Sequence, residues 1–132
     1  MTLNEIIIKY PNLNANGFKY VGGPQENDLH KYPLSFDAIC KWLDNIDKIK
    51  TFNKRIGSYG LKHVCEHSIK HYVSNGVFIA AAIAKDFKFK KYNDGPNCIF
   101  NMSNESISLY VDHNGGSGPC LDAQVWNEVK KI

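Results

Sequence analysis

Apolar positions recur at three- and four-residue steps in two stretches of the chain. Phe36, Ile39, Trp42, Leu43, Ile46 and Ile49 form one stripe behind Ser35, which predicts an amphipathic helix capped by that serine. Leu61, Val64, Cys65, Ser68, Ile69 and Tyr72 form a second stripe behind Ser58. At about 100° per residue, Lys62, His63, Glu66, His67 and Lys70 fall on the opposite, polar side of that helix. Ser74-Asn75-Gly76 breaks it and offers a new N-cap. The run from Val77 to Asp86 is apolar nearly all round, which predicts a buried helix rather than an amphipathic one. The two segments together predict a helical hairpin. A DNA-reading helix-turn-helix is disfavoured, because a recognition helix shows polar side chains to the groove and this one has almost none.

The rest of the pattern is shorter. Thr2-Leu3-Asn4-Glu5 resembles a capping box ahead of Ile6-Ile7-Ile8, and Pro11 closes the short helix it predicts. Residues 11–34 carry Gly17, Gly22-Gly23, Pro24 and Pro33 and predict irregular structure, with one extended piece at Phe18 to Val21. Phe87 to Lys91 alternates, Asn93-Asp94-Gly95-Pro96 is a turn, and Cys98 to Met102 and Ile107 to Val111 read as strands. Gly115 to Pro119 reads as a loop, and Asp122 caps a last helix carrying Val125, Trp126 and Val129. The predicted fold class is α+β: an amphipathic helix and a buried helical hairpin packed with a small antiparallel β-sheet, one domain over residues 1–132.

Composition adds limits. The 132 residues are 43% hydrophobic and 22% charged, which suits a folded domain rather than disorder. No apolar run approaches the ~18–20 residues of a membrane helix. The start Met1-Thr2-Leu3-Asn4-Glu5 lacks the basic and small-residue marks of a secretion signal, so the expected location is the cytoplasm, with no membrane partner. Cys40, Cys65, Cys98 and Cys120 are widely spaced, form no C-x-x-C pair, and read as free thiols. Net charge is +3, from fifteen lysines and the single Arg55 against thirteen acidic residues. Specific DNA readers lean on the planar fork of arginine, so sequence-specific recognition is disfavoured.

Several groups of residues have candidate chemistry. His63-Val64-Cys65-Glu66-His67 matches H-x-x-E-H, in which His63 and His67, one helical turn apart, reach one zinc and Glu66 activates a bound water. His71 adds a third His at the same spacing, but such peptidases are large, and a distant third ligand such as a Glu is not marked here. Lys48, Lys50, Lys54 and Arg55, followed by Lys62 and Lys70, form one basic cluster. Lys85, Lys88, Lys90 and Lys91 form a second. Either cluster alone reads as a solvated surface, and both together keep nucleic acid or an acidic protein surface in play. Asp112-His113-Asn114-Gly115-Gly116-Ser117-Gly118 lacks the order of a P-loop and reads as a turn. Pairing His113 with Ser117 or Cys120 as a nucleophilic site depends on geometry that spacing does not give.

The stretch Asn53 to Ala84 carries "SYGLKH…E…YVSNG-x-FI-x-A", and in it the chain resembles small accessory proteins of phages, plasmids and integrative elements. Lys85-Asp86-Phe87 stands where a Gly-Phe pair often follows in such proteins. The resemblance carries no known reaction. It implies a mobile-element setting in bacteria, where proteins of this size often bind host defence complexes, transcription machinery or nucleic acid. Ser58 and Asn75 read as caps within the motif, and Tyr59, Leu61, Tyr72, Phe78 and Ile79 as packing. Arg55, Lys62, His63 and Glu66 are left as polar groups expected on the surface.

The leading expectation is therefore a non-enzymatic protein that binds a host protein or nucleoprotein complex, as an inhibitor of host defence. Its contact surface is Lys54, Arg55, Lys62, His63, Glu66 and Lys70, with no catalytic residue and no cofactor. The alternatives are a nucleic-acid binder using Lys48, Lys50, Lys85, Lys88, Lys90 and Lys91, and a zinc hydrolase holding its metal through His63 and His67.

Overall fold

A computed structural model describes residues 1–91 and 93–111. Helix α1 (Leu3–Lys9) starts at the expected capping box: Thr2 accepts from the Glu5 amide, and Glu5 accepts from the Thr2 amide. A small antiparallel hairpin follows, β1 (Leu13–Asn14) and β2 (Gly17–Phe18), with Leu13 opposite Phe18. Only the second of these strands overlaps the predicted extended piece. A 3-10 turn at Leu29–Lys31 leads into α2 (Pro33–Leu43).

Helix α2 differs from its expected bounds at both ends. Pro33 opens it, so Ser35 sits inside the first turn rather than at the cap. It stops at Leu43, where the amides of Asp44, Asn45 and Ile46 turn back to carbonyls three residues earlier. The apolar stripe nevertheless continues into the loop, where Ile46 is buried.

Helices α3 (Ser58–Ile69) and α4 (Asn75–Ala84) form the expected hairpin. Two caps shift by one residue. Gly57 precedes α3, and Ser58 Oγ instead accepts from the Cys98 amide at 3.2 Å, pinning the helix start to the sheet. Ser74, not Asn75, caps α4 by accepting from the Val77 amide. Every residue of α4 is buried, as an all-round apolar helix demands. It packs against α1, α2, α3 and both strands of the hairpin, and so forms the axis of the core. Trp42 Nε1 donates to Ser68 Oγ at 3.0 Å and ties α2 to α3.

Strands β3 (Phe89–Lys91) and β4 (Cys98–Phe100) pair antiparallel, Phe89 opposite Phe100 and Lys90 opposite Ile99. The expected third strand at Ile107 to Val111 is not one. Ser103 Oγ accepts from the Ser106 amide and starts a short helix, α5 (Asn104–Ser108), which buries Ile107. A cap outweighs β-branched composition over so few residues. The other edge of β4 is instead lined by the connection between α2 and α3. Lys48 bridges Met102, the Ile49 amide donates to Asn101 O, and the Asn53 amide donates to Phe100 O at 2.8 Å. Among the described residues the architecture is thus α+β, as the pattern predicted, with two small antiparallel sheets instead of one meander. Among the described residues no helix is long and apolar enough to cross a membrane. The predicted loop at 115–119, the helix after Asp122, His113 and Cys120 lie outside the described residues.

Candidate functional site

Tyr59, Lys62, His63 and Glu66 recur at helical steps, which puts them on one side of α3. Lys62, His63 and Glu66 were expected to face solvent, with His67 and Lys70. They do not: Lys62 is 6% exposed, His63 8% and Glu66 3%, whereas Tyr59, expected as packing, is 46% exposed. The physical reason is the turn that closes the hairpin. Lys70 takes a left-handed conformation (φ 61°) and sends the chain back across this side of α3. The Val73 amide then reaches Glu66 Oε1 at 2.9 Å. Helix α3 is therefore buried on two sides, one apolar and one ionic.

The ionic side is a compact cluster. Lys62 Nζ stands 3.7 Å from Glu66 Oε1, and His63 Nδ1 stands 3.3 Å from Glu66 Oε2. Two tyrosine rings flank the ammonium, with Nζ 5.4 Å from the centroid of Tyr59 and 4.9 Å from that of Tyr72. Such cation–π contacts contribute about 0.5–2 kcal/mol each, more as water is excluded. Tyr59 also meets His63 edge-on at 4.8 Å. The rings themselves stay open to solvent, Tyr59 at 46% and Tyr72 at 68%. The Tyr72 phenol is pushed up in pKa, by burial first and then by the nearby Glu66, Tyr32 and Tyr59, so it remains a neutral hydroxyl donor at physiological pH.

These rings border a cleft of about 420 Å3, lined also by Ala15, Asn16, Tyr20, Lys62, Asn75, Pro96 and Asn97. Its floor is a network of asparagines. Asn75 Nδ2 donates to Asn16 O at 3.0 Å and to Asn97 Oδ1 at 2.9 Å, which joins the hairpin, α4 and the approach to β4. Asn75 Oδ1 is buried and accepts no hydrogen bond among the described residues. The cleft thus brings two tyrosine rings, a charge-paired lysine and asparagine amides together.

Of the residues expected at a contact surface, the fold brings Lys62, His63 and Glu66 together. Lys54 and Arg55 are exposed on the connection before α3, and Lys70 is exposed at the helix end; none of the three lines the cleft. Tyr20, Tyr59, Tyr72, Asn16, Asn75 and Asn97 were missed. Tyr59 and Tyr72 read as packing because they sit beside apolar stripes; the signal for them was their position around Lys62. For the H-x-x-E-H reading, His63 is enclosed by Tyr59 and Glu66, and His67 is half-buried. Among the described residues no group of three or more His, Cys, Asp or Glu is placed to hold a metal ion, so the third ligand such a site needs is not supplied there.

The described cysteines are not positioned as nucleophiles. Burial pushes the Cys65 thiol far up and that of Cys98 up to about 12, while half-buried Cys40 rises to about 11. The thiolate is the reactive form, so all three are protonated at neutral pH. Iodoacetamide at pH 8 is expected to leave Cys65 and Cys98 unmodified in the folded protein and to label both in 6 M guanidinium (an ordinary denaturing concentration, roughly above the midpoint of stable domains). Peptide mass mapping checks this, and labelling of Cys65 at the denatured rate would contradict the burial.

No known protein family, no curated protein and no solved structure matches the chain.

Proposed function

We propose that the chain is a non-enzymatic binding protein that engages a host protein through the tyrosine-walled cleft on α3. One observation carries this reading: Tyr59 and Tyr72 stand exposed around a buried, charge-paired lysine. Large apolar rings with hydroxyl tips are what interfaces use as anchors, and Lys62 holds these two in place before any partner arrives. Contact with the buried ammonium restrains both rings, which lowers the side-chain entropy lost on binding. A host-defence complex as target accords with the mobile-element resemblance of residues 53–84.

The test is capture of partners from bacterial lysate by tagged protein, with nuclease present, followed by affinity measurement with the purified partner. Tyr72 is exposed, so Tyr72→Ala is expected to leave the fold intact and weaken binding roughly 30-fold or more, the effect of losing about 2 kcal/mol at an anchor. A captured partner that binds Tyr72→Ala and Tyr59→Ala as tightly as the native protein would show that the cleft is not the contact surface.

A further inference from the structure

The cleft beside α3 has a third aromatic wall, half-buried Tyr20, and it comes from a stretch without regular structure. Tyr20-Val21-Gly22-Gly23 is a tight turn. The Gly23 amide donates to Tyr20 O at 3.0 Å, and Gly22 takes φ 88°, the left-handed value that the third residue of a type II turn requires. Gln25 closes the turn through its Nε2, which donates to Tyr20 O at 2.9 Å and to Gly23 O at 3.1 Å. Buried Asn14 donates through Nδ2 to Pro24 O at 3.0 Å and ties the end of the turn to the β1–β2 hairpin.

Within the turn, the Tyr20 ring lies on Gly23. A β-carbon at Gly23 would fall 2.4 Å from Tyr20 Cζ, 2.5 Å from Cε1 and 2.8 Å from Cε2. Close approach to three ring carbons at once means that Gly23 faces the flat of the ring. The obstacle to a larger residue is therefore a side chain, whereas at Gly76 it is backbone. Gly23 does not have a left-handed φ, so alanine suits its backbone. A methyl group there displaces the ring and leaves the turn.

Among the described residues that line the cleft, Lys62 alone is charged, and Glu66 balances it at 3.7 Å. The lysines of the sheet stay apart from it. Lys48 opposite Met102 and Lys90 opposite Ile99 fall on opposite faces of β4, and neither lines the cleft. The groups left to meet a partner are three phenols, asparagine amides and Pro96.

We infer that residues 20–23 are a preset arm of this cleft, with Gly23 as the seat that holds the Tyr20 ring in place, and that the three-walled cleft takes an uncharged segment of its protein partner. The inference rests on the cleft being the contact surface, and the experiment separates the two.

The probe is the host protein captured by the native chain in the presence of nuclease, purified and titrated against each variant. Tyr20→Ala is expected to weaken its binding roughly tenfold, as truncation of an interface tyrosine does. Gly23→Ala is expected to weaken it by a similar factor while unfolding at the native temperature. In the Tyr20→Ala background the same glycine change is expected to add nothing, because no ring is left to displace. In the free protein, the ring is expected to move the Gly23 α-proton resonance upfield, a shift that Tyr20→Ala removes. Affinity is expected to change less than about twofold between roughly 50 and 200 mM salt, since no charged contact is screened.

If Tyr20→Ala binds as the native protein does while Tyr59→Ala and Tyr72→Ala weaken binding, the arm is wrong and the cleft stands. An unshifted Gly23 α-proton, or a further loss from Gly23→Ala in the Tyr20→Ala background, overturns the seat. A larger loss of affinity with salt overturns the uncharged occupant. Native binding by all three tyrosine variants, or no captured partner, overturns the cleft reading and the arm with it.

Discussion

Gly76→Ala is expected to lower the unfolding free energy by about 3–5 kcal/mol, in a protein whose total stability is of order 5–15 kcal/mol. A β-carbon at this position would fall 1.6 Å from Asn14 O and within 3 Å of the carbonyl carbons of Asn14 and Ala15. These are backbone atoms, so no rotamer change relieves the clash. The β1–β2 hairpin must lift off the start of α4. Lifting it strains the bond from the Gly76 amide to Ala15 O (2.9 Å) and the bond from Asn75 Nδ2 to Asn16 O. Overpacking costs about 1–3 kcal/mol and each weakened buried hydrogen bond about 1 kcal/mol more. Urea unfolding measures the loss. Gly95→Ala is the control, because a β-carbon there meets nothing within 4 Å, and it should change stability by no more than about 0.5 kcal/mol. A Gly76→Ala variant as stable as that control would mean the hairpin is not seated on α4. Because Ala15 and Asn16 line the cleft, Gly76→Ala should also lose partner binding, unlike Tyr72→Ala, which loses binding alone.

Glu66→Ala is expected to cost a similar amount, about 3–5 kcal/mol, by a different route. Removing the carboxylate leaves the Lys62 ammonium buried without its counter-charge and the Val73 amide without its acceptor. The cost therefore arises from what is left behind rather than from the strength of the pair itself. Two companion variants separate the contributions. Glu66→Gln keeps an oxygen for the Val73 amide and should lose less. Lys62→Met combined with Glu66→Leu removes both charges and should recover part of the loss, since a buried pair replaced by apolar groups is often close to neutral. If Glu66→Ala unfolds at the native urea midpoint, the ion pair does not contribute to the fold.

Much of the architecture was legible from periodicity. The stripe from Phe36 to Ile46, the capping box at Thr2 and the all-apolar run from Val77 each specify an element by local physics. What periodicity did not show was coverage. A helix with Lys62, His63 and Glu66 on one side looks amphipathic. Whether that side meets water depends on where residues 70–73 and the β1–β2 hairpin come to lie, and those are contacts between distant parts of the chain. The motif stretch supplies Tyr59, Lys62, Tyr72 and Asn75 to the cleft, but the cleft also takes Asn16, Tyr20 and Asn97 from outside it. Ile107 to Val111 shows the converse limit: five residues of mixed composition are too few to set a strand against a serine cap.

The hairpin's seat on α4 also bears on how the cleft comes to exist as the chain is made. Asn16 and Asn75 are 59 residues apart. At 5–20 residues per second, a ribosome completes Asn75 about 3–12 s after Asn16. Throughout that interval Leu13 and Phe18 lack α4, the helix on which their strands pack, although a hairpin of this size forms within microseconds once its surroundings permit. Translation, rather than chain collapse, therefore sets the earliest moment at which the cleft can close.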